Sequence, residues 1–267
     1  MGFIRNVWGG HDYIPSVWDD WMKDRSAKMF VLEVDGKQVA MNHVRFPGDG
    51  TAWFEGVRVH PDYRGRGLAT LLGENAMRVA SEKDIQVYRL TSNSLNRAAH
   101  RQVARMGFVE VSRFSVYEVP KGTSFHREER VRRATLSDER KIRRLIQESS
   151  EWRLGGGVMW DGFTAVSLTP AIVSKMVRSG SVFLLGDAVA ISKLGGEGKD
   201  VWKQVCFIGG GQESSVKLVQ HTFAYGRKAD WDIAFIPQGS ALIRALGKVG
   251  LRRSLSLILF EKRAANG

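Results

Sequence analysis

The stretch Val57-Arg58-Val59-His60-Pro61-Asp62-Tyr63-Arg64-Gly65-Arg66-Gly67-Leu68-Ala69-Thr70-Leu71-Leu72 has the residue types and spacing to hold a bulky anion. An alternating apolar run ends at Pro61. A basic glycine loop follows, then an apolar-periodic segment, an order that predicts strand, loop and helix. A helix start carries about half a positive charge and backbone N–H groups without intrahelical partners. Gly65 and Gly67 allow an anion to approach that backbone closely. Arg64 and Arg66 add forked, charged donors suited to phosphate. The stretch reads as a pyrophosphate cradle, the plainer alternative being a basic turn before a helix. Other phosphate loops fit worse. A Walker loop needs Lys-Ser or Lys-Thr after its last glycine, where Leu68-Ala69 stands. A G-x-G-x-x-G dinucleotide loop needs glycine where Thr70 stands.

A second landmark lies downstream. Val87-Tyr88-Arg89-Leu90-Thr91 is β-rich, Asn96-Arg97-Ala98-Ala99-His100 follows, and Met106-Gly107-Phe108-Val109-Glu110 closes the block. Asn96 to Gly107 spans one helix of about three turns. Gly107 suits a left-handed helix end, and Ser112 to Val119 supplies the next strand. Arg64, Gly67 and Ala69 together resemble the R-x-x-G-x-A acyl-CoA loop of the GNAT N-acetyltransferase superfamily. The downstream block resembles that family's N-x-x-A, helix, G-F and strand. The resemblance covers residues 10–119. It implies acetyl-CoA as cosubstrate, with no metal. It implies contacts from Val57, Arg58, Val59, Arg64, Gly65, Arg66, Gly67, Leu68, Ala69, Thr70 and Asn96. In the family a splayed strand before the loop offers main-chain N–H groups to the thioester and pantetheine; here that strand is Trp53 to Val59.

Transfer of an acyl group from a thioester to an amine needs a neutral amine and hydrogen-bond donors for the carbonyl oxygen. Strand alternation places Glu55 on the same side as Val57. A carboxylate there is a candidate general base, its alternative being a solvent-facing or salt-bridged strand residue. The family often has a tyrosine seven residues after its asparagine as proton donor to the thiolate. Val103 stands there, so the general acid is unassigned, with His100, Tyr88 and Tyr117 as substitutes. A lysine amine with pKa ~10.4 costs about 4.6 kcal/mol to neutralise at pH 7, and an α-amine with pKa ~8 about 1.4 kcal/mol. Trp8, Tyr13, Trp18 and Trp21 fall where the family places its acceptor-side helices. They suit a substrate wall or a small packed core equally.

The elements that must position these groups are bounded by composition. The chain has 267 residues, 43% of them apolar, enough for one large domain or two ordinary ones. A single cysteine, Cys206, excludes an internal disulfide framework and suits a reducing, cytoplasmic compartment. Nothing approaches 18 consecutive apolar residues, and no signal-peptide pattern opens the chain, so no membrane association is expected. His and Cys show no metal-ligand spacing. Charge is uneven. Residues 1–120 hold 16 Lys and Arg against 14 Asp and Glu, whereas the remainder holds 24 against 14. The basic excess fits nucleic acid, acidic protein or the phosphates of CoA. In its densest stretch, residues 126–144, the plainer reading is a solvated helix face.

The second half looks like a repeat of the first. Phe30-Val31-Leu32-Glu33-Val34-Asp35 resembles Phe183-Leu184-Leu185-Gly186-Asp187, and Met106-Gly107-Phe108 resembles Val249-Gly250-Leu251. Glu118 and Glu261 stand equally far beyond Gly107 and Gly250. Where a second CoA loop belongs, Gly209-Gly210-Gly211 precedes a helix without arginines, leaving either an anion nest or a loop that has lost the cofactor. After the linker, residues 131–135 predict a strand, and Ser137 a helix N-cap. The expected fold class is therefore α/β (α+β): two tandem GNAT-like domains, each a mixed, mainly antiparallel sheet flanked by helices. Residues 1–120 would hold the acetyl-CoA site, 121–130 a linker and 131–267 a degenerate copy. The first domain looks N-terminally short, since Trp8 arrives with no opening strand. Either the chain start is late or another segment, including the C-terminal half, fills that sheet edge. The expected function is acetyl transfer to a primary amine of a small molecule or peptide, by a monomer or homodimer. The alternatives are a non-catalytic acyl-CoA-binding regulator and a nucleic-acid-associated protein.

Overall fold

The computed structural model describes residues 12–197, 200–224 and 231–264. Two compact units emerge: residues up to 110 together with those from 260 onward, and residues 111–259.

The first unit runs α1 (Ile14–Lys23), β1 (Ala27–Val34), β2 (Lys37–Arg45), β3 (Thr51–Val59), α2 (Leu68–Ala80), β4 (Val87–Asn93) and α3 (Arg97–Arg105). Asp35 and Gly36, both with positive φ, make the tight β1–β2 turn, as two-residue hairpins require. β2 and β3 are antiparallel, while β3 and β4 are parallel with α2 as the crossover. α1 buries Ile14 and Trp21 against Met41 of β2. α2 buries Leu72, Gly73, Ala76 and Ala80, one face at helical spacing. Gly73 is held small by Met106, whose methyl occupies the space a Cβ would need.

Two features open this sheet at the end of β3. Pairing with β4 stops at Phe54 opposite Leu90, although both strands continue. The β2–β3 register also shifts between Met41 and His43, so β3 carries an extra residue around Gly56. Gly56 has φ +67°, and a side chain there would run into the Trp21 ring. A bulge of this kind bends its strand and re-aims the residues beside it. Alternation therefore does not carry across Gly56, and the expected same-side placement of Glu55 and Val57 loses its basis.

The second unit runs β5 (Val109–Glu118), whose first two residues belong to the first unit, β6 (Arg132–Arg133), α4 (Glu139–Glu148) and α5 (Ser150–Leu154). It continues with β7 (Val158–Asp161), β8 (Thr164–Ser167), α6 (Pro170–Arg178), β9 (Val182–Leu185) and β10 (Ala188–Glu197). It ends with β11 (Asp200–Gly210), α7 (Gln212–Ala224), β12 (Trp231–Pro237), α8 (Leu242–Lys248) and β13 (Arg252–Arg263). β9 and β10 form a hairpin, β11 adds antiparallel to β10, and α7 crosses over to parallel β12. This is the order of β1, β2, β3, α2 and β4. The two Phe-containing matches each form the first strand of a hairpin. Gly107 and Gly250 both have positive φ and both end helices. The N–H of Phe108 donates to Val103 O and that of Leu251 to Leu246 O, the same closure twice. The internal repeat is thus a repeat of topology.

The units divide at 110/111 and 259/260 and not at the expected linker, residues 121–130. The strand after Gly107, β5, pairs antiparallel with β12 in the second unit. In the first unit the place beside β4 goes to the end of β13. There Ala264 N–H donates to Gln86 O, Lys262 Nζ donates to Met106 O, and Arg89 Nε lies 2.6 Å from Glu261 Oε1. The C-terminal segment therefore joins the sheet beside β4 and leaves the β1 edge, for which it was a candidate. The expected cap at Ser137 also shifts. Thr135 and Asp138 form a capping box around a short 3-10 turn, and α4 begins after it. In the basic stretch, α4 buries Ile142, Leu145 and Ile146 and exposes Arg140, Arg143 and Arg144, the solvated-face pattern.

Candidate active site

The loop takes the turn-and-helix form that its residue types require. After a 3-10 turn at Pro61–Tyr63, Gly65 and Gly67 take φ of +77° and +76°, and Gly67 caps α2. The N–H groups of Thr70 and Leu71 donate back to Gly67 O. Ahead of them, the N–H groups of Gly65, Arg66, Gly67, Leu68 and Ala69 have no partner among the described residues. A Cβ built on Gly65 or Gly67 would meet nothing within 4 Å, so the space before these donors is open. Arg64 Nε bonds Val59 O, and Arg66 Nη2 bonds Asp62 O while its guanidinium lies 4.9 Å above the Tyr63 ring. Both side chains are exposed and held locally near the loop. Free N–H groups, a helix start, open space and two cations fit a pyrophosphate.

Glu55 lies where β3 parts from β4, mostly buried and paired with His43 and Arg45, as the salt-bridged alternative expects. Its side chain is 16% exposed, and His43 Nδ1, on the facing strand, lies 2.8 Å from Oε1. Trp53 Nε1–H donates to Oε2 at 3.2 Å. Arg45 Nε stands 4.0 Å from Oε1 and 3.4 Å from Asp24 Oδ2. His43 is fully buried and stacks flat on Trp21, with ring centres 4.2 Å apart and planes 4° from parallel. Tyr13 is close by. Burial pushes its phenol up to about 12, the charge of Glu55 adds to that rise, and Arg58 opposes it.

The remaining expected residues fall in varied places. Val57 is exposed at the opening, with Val59 two residues on. Arg58 does not point a free guanidinium at the cradle. It grips Asp12 with two bonds, at 2.6 and 2.7 Å, and lies 5.4 Å from the Tyr13 ring. Burial works against ionisation of Asp12, but the bonds from Arg58 and the N–H of Ile14 outweigh it and hold its pKa low. Asn96 caps α3 by accepting from Ala99 N–H. Val103 is buried. Of the substitute acids, Tyr88 is buried with its hydroxyl on Met77 O of α2, and burial raises its pKa. Tyr117 packs in the second unit's core, and burial raises its pKa too. His100 Nε2 lies 3.0 Å from Asn93 O. Trp18 and Trp21 join the small core with Ile14, so the core reading holds for them. Trp8 lies outside the described residues. His43 was absent from the expected site, although its position was readable. The turn around Gly48-Asp49-Gly50 pairs residues equally far from Asp49, which sets His43 opposite Glu55.

In the second unit the glycines serve packing. A side chain on Gly209 would strike Ser149, and one on Gly211 would strike the carboxylate of Asp187. Asp187 therefore stands at the start of α7, where a cradled anion would sit. A cavity of about 590 Å³ lies nearby, lined by Gln212, Ser240, Arg244 and Lys248 among others. Among the described residues no cluster of His, Cys, Asp and Glu could hold a metal, and no helix is long and apolar enough to cross a membrane.

Parts of the chain are similar to known proteins. Residues 4–108 match the Acetyltransferase (GNAT) family. That match spans about two fifths of the chain. Histidine N-acetyltransferase of Xenopus tropicalis is 31% identical over 120 residues, 42% of this chain and 37% of that protein. Its counterpart in Oreochromis niloticus is 31% identical over 94 residues, 34% of this chain and 28% of its own. The chain thus spans about a third of the length of the curated relatives it matches. The crystal structure of a GCN5-related N-acetyltransferase from Sphaerobacter thermophilus superposes with TM-score 0.64. It covers 99% of this chain and 90% of its own at 15% identity, a likeness of fold. The glycine loop at Arg64–Thr70 and the parting of β3 from β4 both lie inside the family match.

Proposed function

We propose that the chain is an acetyl-CoA-dependent N-acetyltransferase acting on a primary amine of a small molecule or peptide. The observation that carries this reading is the open row of N–H groups from Gly65 to Ala69, with a carboxylate at the adjoining strand opening. Acetyl-CoA supplies a thioester carbonyl and a thiolate leaving group. Gly65, Gly67, Leu68 and Ala69 would hold its pyrophosphate with main-chain N–H groups. Arg64 and Arg66 would add charge, and the parted end of β3 main-chain contacts along the pantetheine. Glu55 would take the proton of the attacking amine, directly or through water. No side chain is assigned as acid, and a thiol of pKa ~8.5 can leave unprotonated. An amino acid is the first acceptor to try. The partial relatives are named for histidine, and an α-amine needs about 3 kcal/mol less help to lose its proton than a lysine amine.

The test is an acetyl-CoA turnover screen across L-histidine, other amino acids, simple amines and peptide N-termini. Transfer to at least one amine is expected. CoA binding without transfer would favour the regulator. Steeply salt-dependent binding of DNA or RNA, without CoA binding, would favour a nucleic-acid role.

The second unit is proposed to bind no CoA and to support the first. Its loop lacks arginines, and Asp187 stands in the anion's place, so like charges would repel there. Calorimetry on the intact chain is expected to give one CoA per chain. A value of two, from a second molecule in the cavity beside Arg244 and Lys248, would overturn this assignment.

A further inference from the structure

Resting on the reading of Glu55 as base, we infer that His43 is its positioning residue, donating Nδ1–H to Glu55 Oε1 and thereby aiming Oε2 at the amine. The two side chains are opposite each other across β2 and β3, at 2.8 Å. His43 is fully buried, and its ring is clamped flat against Trp21. Trp21 in turn leans on Gly56, where no side chain fits. The ring therefore has no freedom to turn away from Glu55.

The second nitrogen decides the tautomer. His43 Nε2 is buried and has no hydrogen-bond partner among the described residues. A buried N–H left unsatisfied costs about 1–3 kcal/mol, more than an idle lone pair. The proton therefore belongs on Nδ1, where Glu55 accepts it. Glu55 is also faced by Trp53 from its own strand, Arg45 from β2 with Asp24 behind it, and Tyr13, Asp12 and Arg58 at the opening. Of these, Trp53 and His43 touch the carboxylate within 3.2 Å, one on each oxygen.

Two variants separate positioning from packing. His43→Phe keeps an aromatic ring on Trp21 and removes the donor, whereas His43→Asn places an amide N–H near the Nδ1 position and removes the ring. With acetyl-CoA and whichever amine turns over, His43→Phe is expected to lower kcat ~10–100-fold with KM for acetyl-CoA unchanged, the loss of one charged hydrogen bond. A donor favours the ionised carboxylate, so its removal should move the acidic limb of the pH profile upward. His43→Asn should restore part of kcat and return the limb. An unmoved limb in His43→Phe, or a worse profile in His43→Asn, would make His43 a packing residue and overturn the inference. Nitrogen-15 NMR of the labelled imidazole gives a readout that needs no turnover. The wild-type ring should show Nδ1 protonated and Nε2 bare. The opposite tautomer overturns the inference even if the enzyme is active. Failure of the wild type to acetylate any amine, with the expected tautomer present, overturns the reading of Glu55 as a base and leaves the pair standing.

Discussion

Gly67→Glu will lower acetyl-CoA affinity by at least ~100-fold, because a pyrophosphate would lose two or more charged hydrogen bonds of about 1.5–3 kcal/mol each. Gly67 sits at φ +76° directly before α2, in front of open space. A glutamate there would put a carboxylate among the free N–H groups. It would also strain the backbone by about 1–2 kcal/mol, since side chains disfavour the left-handed region. Gly67→Asn separates the two effects. Asparagine tolerates positive φ and adds no charge, so it should retain most of the affinity. Titration calorimetry gives both values, and thermal unfolding confirms that each variant folds. Unchanged affinity in a folded Gly67→Glu protein would remove the pyrophosphate from this loop.

Glu55→Gln will lower turnover by ~10²–10⁴-fold, the usual contribution of a positioned general base. Acetyl-CoA affinity should stay within about twofold, since the cradle is formed by other residues. The substitution preserves shape and leaves an oxygen to accept from Trp53 or His43, so the fold around the bulge should persist. The effect depends on the acceptor. A lysine amine, costlier to deprotonate by about 3 kcal/mol, should suffer more than an α-amine. Equal turnover of mutant and wild type from pH 6 to 9 would rule the role out. A deficit confined to lysine-like acceptors would identify a low-pKa amine as the natural one.

The cradle is legible in the sequence because everything in it is local. Gly65 and Gly67 take the positive φ that other residues resist, and proline, glycine and helical periodicity mark strand, turn and helix within sixteen residues. The repeat is legible for the same reason. Phe183 lies in the first strand of a local hairpin as Phe30 does, and Gly250 ends a helix as Gly107 does, through a bond that reaches five residues. Even the facing of His43 and Glu55 follows from a symmetric turn at Asp49. Tertiary structure decided what depends on partners far along the chain. Two strands with similar alternation, β5 and β13, could each lie beside β4, and period-two patterning carries no label for its neighbour. Arg89 and Glu261 meet only because β13 took the place. The bulge at Gly56 rests on Trp21, thirty-five residues earlier, and it breaks the alternation that would pair Val57 with Glu55. Asp12 captured the guanidinium of Arg58, and Asp187 reached the glycines ahead of α7. Residue types and short spacing thus determined which groups this chain offers to a bulky anion. Long-range packing decided which of them remain free to do so, because a donor or a charge acts on a ligand only where the fold has not already given it a partner.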